Sequence, residues 1–184
     1  MEVEAAGFKV FRLNNLRIQA DQTVTVRASL EIGIPTETVR VEAALVQVDL
    51  GTPTMRQVVD QDRMVELPLN GRNAAELMTL VAGVTPAPSG GVDQGSAKTM
   101  PGAVVVSMNG SRQGQVSFQM DGGNNTDEYS NANQPFPFPD ALQEFSVQTS
   151  NYSAEYGLNA GGVVNVITKS GTNEYHAVSY THLR

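Results

Sequence analysis

The amino-acid sequence predicts an α+β protein in two parts, the end of a small β-sandwich followed by a mixed β-sheet with short helices. Seventeen glycines and nine prolines among 184 residues, set among many Asn, Ser, Thr and Val, favour short strands and turns over long helices. Residues 24–32 alternate apolar and polar with the period of a half-buried strand. Residues 73–84 carry a cap, an apolar face and a terminal glycine, which together mark one compact helix. With 40% hydrophobic residues the chain can bury an ordinary core.

Taken in order, the opening "MEVEAAGFKVFRL" is strand-like and lacks the charged-then-apolar layout of a signal peptide, so Met1 is expected to lie inside a longer protein. In "TVTVRASLEIGIP", Val24, Val26, Ala28, Leu30 and Ile32 alternate with Thr25, Arg27, Ser29 and Glu31, the clearest strand pattern in the chain, which Pro35 stops. Residues 1–43 read as the sandwich end and 44–57 as a linker, with its Gly-Thr-Pro break at Gly51 to Pro53. A new unit begins near Val58 with a helical turn in "DQDRMVEL", halted by Pro68. In "NAAELMTLVAGV", Asn73 caps, Glu76 completes a capping box, Leu77, Leu80, Val81 and Val84 form one face, and Gly83 ends the helix.

Residues 86–102, "PAPSGGVDQGSAKTMPG", have loop composition, as do residues 123–139, "GNNTDEYSNANQPFPFP". Between them "AVVVSMNG" and "QVSFQMDGG" read as strands, with Phe118 and Met120 on one face. "DALQEFSVQTS" passes from a helical turn into a strand carrying Phe145 and Val147, and a last strand follows the glycines of "GLNAGG". The expected core is Leu77, Leu80, Phe118, Phe145, Val164 and Val166. Protease cuts are expected in the linker and in the two loops.

Chemistry is mostly excluded. The net charge is −7 with no Lys/Arg block, so the footprint needed to hold phosphate backbones is missing and no nucleic-acid partner is expected. The absence of cysteine removes thiol catalysis, disulfides and thiolate metal sites. His176 and His182 are the only histidines, without partners in any triad or zinc spacing. "KSGT", Lys169 to Thr172, is similar to the Lys-Thr-Gly box of penicillin-recognising enzymes, but no Ser-x-x-Lys accompanies it. In "DGGNNTDEYSN" the EF-hand spacing fails at Gly123 and Thr126, leaving an Asn/Gly turn cluster. No catalytic residue, cofactor or metal is expected, and no window approaches the ~20 apolar residues of a membrane helix.

The stretch "LQEFSVQTSNYSAEYGLNAGGVVNVITKSGTN" closely resembles the end of the plug domain of TonB-dependent outer-membrane receptors. Its elements are Tyr156-Gly157, the pair Gly161-Gly162, the run Val163 to Ile167 and Thr168-Lys169. "VVDQDRMVELPLNGRN" resembles the plug opening, with Leu67, Pro68, Leu69, Asn70, Gly71, Arg72 and Asn73 as its core. "MNGSRQGQVSFQMDGGNNTD", with Asp121 and Gly122, resembles a third block of the large receptors that carry a carboxypeptidase-regulatory-like domain before the plug. The likeness runs to about residue 175, and Leu158 departs from it where the family commonly has Arg.

The resemblance implies a non-enzymatic plug over residues 58–175, in the outer membrane, with the part before it periplasmic. It implies two partners, a TonB-type coupling protein and the receptor's own barrel of about 22 strands, which the chain does not contain. The transported ligand stays unidentified. Residues 176–184 read as a truncated tail whose last residues are read-through rather than native. Gly161-Gly162 would let backbone lie close to backbone where the plug chain turns out toward the wall. Glu37, Thr38, Val39, Arg40, Val41, Glu42 and Ala43 resemble the TonB box, an extended segment that adds as a strand to a TonB sheet edge. They read equally as the last strand of the sandwich. The rival to the receptor reading is a free-standing periplasmic or secreted β-rich binding module.

Overall fold

The computed structural model describes residues 1–14, 16, 24–33, 38–42, 53–86, 102–156 and 159–179. The chain divides into two units, Met1–Pro53 and Thr54–Arg184. In the first, β1 (Glu2–Val3) lies antiparallel to β2 (Val10–Asn14), and β3 (Thr38–Glu42) runs parallel to β2 on its other side. Val10, Phe11 and Leu13 of β2 are buried, while Arg12 reaches Glu2 across the pair at 2.9 Å.

Residues 24–31 do not form the expected strand. Up to Glu31 their exposure alternates as the sequence predicts, with Thr25, Arg27, Ser29 and Glu31 outward, but Ile32, expected on the covered face, is 84% exposed. Backbone pairing among the described residues, however, is confined to a bridge between Phe8 and Ile32 and to bonds such as Lys9 N–H to the Glu31 carbonyl at 2.8 Å. Period-two patterning specifies sidedness, whereas a strand also needs a neighbour in register to pair with. Both edges of the central strand β2 are taken, by β1 and β3.

The second unit is built on a five-stranded mixed sheet. Its strands are β4 (Met55–Asp60), β7 (Val116–Met120), β8 (Gly123–Asn124), β9 (Leu142–Ser150) and β10 (Gly162–Thr168), in spatial order β4-β9-β10-β7-β8. Only β10 and β7 pair in parallel. A separate two-stranded ribbon joins β5 (Val84–Pro86) to β6 (Val106–Met108). The two strands read in residues 103–123 therefore belong to different sheets. β4 begins at Met55, inside the stretch expected as linker, and residues 44–52 of that stretch lie outside the described residues.

Register places Val59, Phe145, Val147, Val164, Val166 and Phe118 on one face of this sheet, all buried. Helix α1 (Gln61–Glu66) contributes Met64 to the core, and the following turn contributes Ala74, Ala75, Leu77 and Met78. Phe136 stands edge-on to both Phe118 and Phe145, at centroid distances of 6.5 and 6.1 Å. The reverse face carries buried Ser117, Ser146, Gln148 and Asn165, so β9 and β10 are covered on both sides.

The helix expected from Asn73 onward is a 3-10 helix, Ala74–Leu80. Asn73 caps it, its Oδ1 accepting from Ala75 N–H at 3.1 Å. Glu76 does not close a capping box: Asn73 N–H donates to the Asn70 carbonyl, and Glu76 Oε2 accepts from Asn70 N–H at 3.2 Å. Leu80 is not in the core but 55% exposed. An α-helix would align Leu77, Leu80, Val81 and Val84. The three-residue repeat forms two adjacent stripes, Ala74-Leu77-Leu80 and Ala75-Met78-Val81; all of these are buried except Leu80, the last residue of the helix, so Met78 and not Leu80 joins Leu77 in the core. The other five expected core residues are buried.

Candidate functional site

Most of the singled-out motif residues gather at one end of the five-stranded sheet, where β4, β7 and β10 finish and β9 starts. β7 runs into a left-handed turn at Asp121 (φ +50°) and Gly122 (φ +79°), which reverses the chain into β8. Asp121 N–H extends the ladder to the Val166 carbonyl at 2.9 Å. Its carboxylate accepts Thr168 N–H on one oxygen and the Thr168 hydroxyl on the other, both at 2.8 Å. The Asp121 motif and the Thr168-Lys169 motif are thus two halves of one clasp.

The opening motif reaches the same end. Asp60 caps α1 by accepting from Arg63 N–H, and Leu67 ends it with its N–H on the Arg63 carbonyl. Pro68 is exposed, while Leu67 and Leu69 pack partly against the core. Gly71 and Arg72 then take successive left-handed conformations, φ +59° and +58°. This turn aims the Arg72 guanidinium at two acceptors, the Val65 carbonyl at 3.1 Å and Asp140 Oδ2 at 2.8 Å. The ion pair is mostly enclosed, with side-chain exposures of 13% and 19%. Asp140 sits in the 3-10 turn Pro139–Ala141 that leads into β9, and Lys169 binds that turn twice. Its N–H donates to the Ala141 carbonyl at 2.9 Å and its ammonium to the Asp140 carbonyl.

The stretch after Gly122, read as a plain loop, is pinned by its own polar side chains. Thr126 Oγ1 accepts from Phe118 N–H at 3.0 Å, and Asn125 N–H donates to the Phe118 carbonyl at 2.8 Å. Buried Asn133 takes Val104 N–H on Oδ1 and donates to the Gly102 carbonyl, to which Asn73 Nδ2 also donates. Asp127 accepts the Ser130 hydroxyl at 2.6 Å and Ser130 N–H at 2.7 Å, and these bonds hold its carboxyl below the ordinary range. Asn125, Asp127 and Asn133 escaped the sequence reading because Asn and Asp mark turns without saying which turns are locked.

The glycine pair lies at the opposite end, where β10 begins. A Cβ at Gly161 would stand 2.6 Å from the Gln115 carbonyl oxygen, and Gly162, at φ +151°, would collide with Met108 and the Gln148 carbonyl. Close backbone approach is therefore present, but it is remote from Thr168-Lys169, where the chain leaves the sheet. Tyr156 ends the 3-10 turn Ala154–Tyr156, and Gly157 and Leu158 lie outside the described residues. Asn109, Ser111, Thr149, Asn151, Tyr152 and Gly161 line an open, uncharged cleft of about 510 Å³ beside the pair.

In the first unit, β3 contains Thr38, Val39, Arg40, Val41 and Glu42, paired in register from Thr38 with Val10 to Glu42 with Asn14. Glu37 and Ala43 lie outside the described residues. β3 is an edge of its sheet, with no second strand partner among the described residues. His176 is exposed, and no group of three or more His, Cys, Asp or Glu poised for a metal occurs among the described residues. No helix among them is long and apolar enough to cross a membrane.

Comparison with known proteins adds a family and a fold. The family model described as "TonB-dependent Receptor Plug Domain" matches residues 49–164. The TonB-dependent transporter Oar of Myxococcus xanthus is 27% identical over 183 residues, which is 96% of this chain and 16% of the transporter. A mutant of the ferric enterobactin receptor from Pseudomonas aeruginosa, solved in complex with enterobactin, matches 65% of this chain and 18% of its own at 19% identity, with a TM-score of 0.50. The siderophore receptor PirA from Acinetobacter baumannii matches 65% of this chain and 18% of its own at 24% identity, with a TM-score of 0.47. The chain thus spans less than a fifth of these relatives.

Proposed function

Because the chain belongs to the TonB-dependent receptor plug domain family, we propose that residues 54–169 fill the lumen of an outer-membrane β-barrel and gate solute passage through it. A wide barrel leaks unless a folded domain fills it. The observation that carries this reading is the family match over 49–164, which spans the whole five-stranded sheet up to Val164 of β10 and includes the opening motif and the Asp121 turn. In the full-length receptor, deletion of residues 54–169 should turn a silent protein into a large, steadily conducting pore in a planar bilayer. Conductance unchanged by the deletion would refute the reading.

Residues 1–43 are proposed as the end of a carboxypeptidase-regulatory-like domain on the periplasmic side, and the family, one of receptors and transporters, argues for no catalytic activity. The segment Glu37 to Ala43 is proposed as the contact for a TonB-type protein. The open outer edge of β3 suits strand addition, in which main-chain bonds supply the affinity. A peptide spanning Thr36 to Ala44 should bind a TonB C-terminal domain. Val39→Pro, which removes a backbone donor at the centre, should abolish binding, whereas Arg40→Lys should be mild. Equal binding by the wild-type and proline peptides, or none by either, would leave β3 as an ordinary sheet strand.

A further inference from the structure

We propose that Asp140 is a positioning residue through which the opening segment, Leu67 to Asn73, and the exit residues Thr168-Lys169 are mechanically joined, so that displacing one loosens the other. Its consequence for gating rests on the plug reading above, but the coupling itself is a property of this chain. Two segments far apart in sequence end on one short turn. Arg72 grips the Asp140 carboxylate at 2.8 Å, and Lys169 bonds the carbonyls of Asp140 and Ala141. The turn has only three residues, Pro139–Ala141. Proline fixes its first φ, so a pull on the Asp140 side chain cannot be absorbed by rotation there and is passed to the carbonyls beside it.

The geometry makes Arg72 hard to replace. One nitrogen of its guanidinium closes the opening segment on the Val65 carbonyl while another holds Asp140. Lysine, a point charge on a flexible stem, cannot hold two separated acceptors in fixed directions. The enclosure of the pair also raises the cost of breaking it above that of a surface ion pair, because truncating one member leaves the other charge poorly solvated. A shift of the opening segment that drags Arg72 away therefore also strips Asp140 of its anchor, and the turn holding Lys169 becomes free to move. Thr168 keeps its own clasp on Asp121, so the exit strand is loosened at Lys169 first.

Amide hydrogen exchange on the 184-residue chain tests this without a barrel. Arg72→Lys and Asp140→Asn should each speed exchange at Lys169 N–H about tenfold, together with amides of Leu69 to Asn73. Lys169→Met, which keeps its own N–H, should in turn speed exchange at Asn70 to Asn73, since coupling between two sites is reciprocal. The amides of Phe145 and Val147 in β9 should stay slow in all three variants, which separates loosening from unfolding. Acceleration confined to the segment that carries the substitution, or uniform acceleration that includes β9, would overturn the proposal. Either result would leave the plug reading intact, because the conductance test addresses the barrel and this one does not.

Discussion

Leu77 and Leu80 lie three residues apart in one helix, and their alanine substitutions should differ by orders of magnitude in effect. Leu77 is fully enclosed and Leu80 is 55% exposed. Truncating a packed leucine removes its burial energy and leaves a cavity, about 2–5 kcal/mol in all. Truncating an exposed one stays within about 0.5 kcal/mol. The amides of Phe145 and Val164 exchange only when the five-stranded sheet opens, and they report on the second unit alone. At a factor of ten per 1.4 kcal/mol, Leu77→Ala should accelerate them roughly 30-fold to several thousand-fold, and Leu80→Ala about twofold. Similar acceleration by both variants would place Leu80 in the packed core beside Leu77 and refute its exposure. A negligible effect of Leu77→Ala would place that face in solvent or in an interface.

Other outcomes can be measured on the same chain. Gly110→Ala, at φ +75° with open space around it, should cost about 1–2 kcal/mol of stability, whereas Gly162→Ala should cost more because Met108 or the Gln148 carbonyl must also move; equal denaturation midpoints would refute the close approach. Asp127 has a depressed carboxyl pKa in the folded chain, so its bonds to Ser130 contribute stability that is present above the unfolded value of about 3.9 and is lost as pH falls through the lower folded value. Ser130→Ala should move the Asp127 carboxyl titration part of the way back up in an NMR pH series, and an unmoved titration would remove the Ser130 hydroxyl as the leading cause. Limited proteolysis should spare residues 123–137, apart from the exposed tip at Glu128 and Tyr129, because Asn125, Ser130, Ala132 and Asn133 are buried; early cleavage at Asn133 would contradict the pinned loop.

The sheet was legible where side-chain type alone decides burial. Phe118, Phe145, Val164 and Val166 sit where their hydrophobicity predicts, and the Asn73 cap was visible from its hydrogen-bonding chemistry. Partner choice was not legible. Residues 24–30 alternate in exposure without forming a strand, because periodicity describes two faces and says nothing about which neighbour the backbone will meet. Helix winding was hidden too: over seven residues the 3.0- and 3.6-residue repeats both fit the letters, and neither marks Leu80, one turn beyond buried Leu77, as the point where the helix leaves the core. Of the motif residues, Arg72 could be singled out by resemblance, but its acceptor could not, since Asp140 belongs to no motif and its role depends on a contact across the fold.

What the motifs share is backbone geometry rather than reactive chemistry. Gly71, Arg72, Asp121, Gly122 and Gly162 all occupy the left-handed half of conformational space, where most side chains are penalised. Asp121 and Arg72 are not glycine, and each is compensated by bonds that only its own side chain can make, to Thr168 in one case and to Val65 and Asp140 in the other. An arrangement of this kind does not lower a barrier to bond making or breaking. It fixes where the chain enters and leaves a sheet, and it does so with a few polar bonds rather than with the packed apolar face beneath them. The second unit is divided accordingly: a core built from Phe118, Phe145, Val147 and Val164 that opens only as a whole, and an end held by a few discrete bonds.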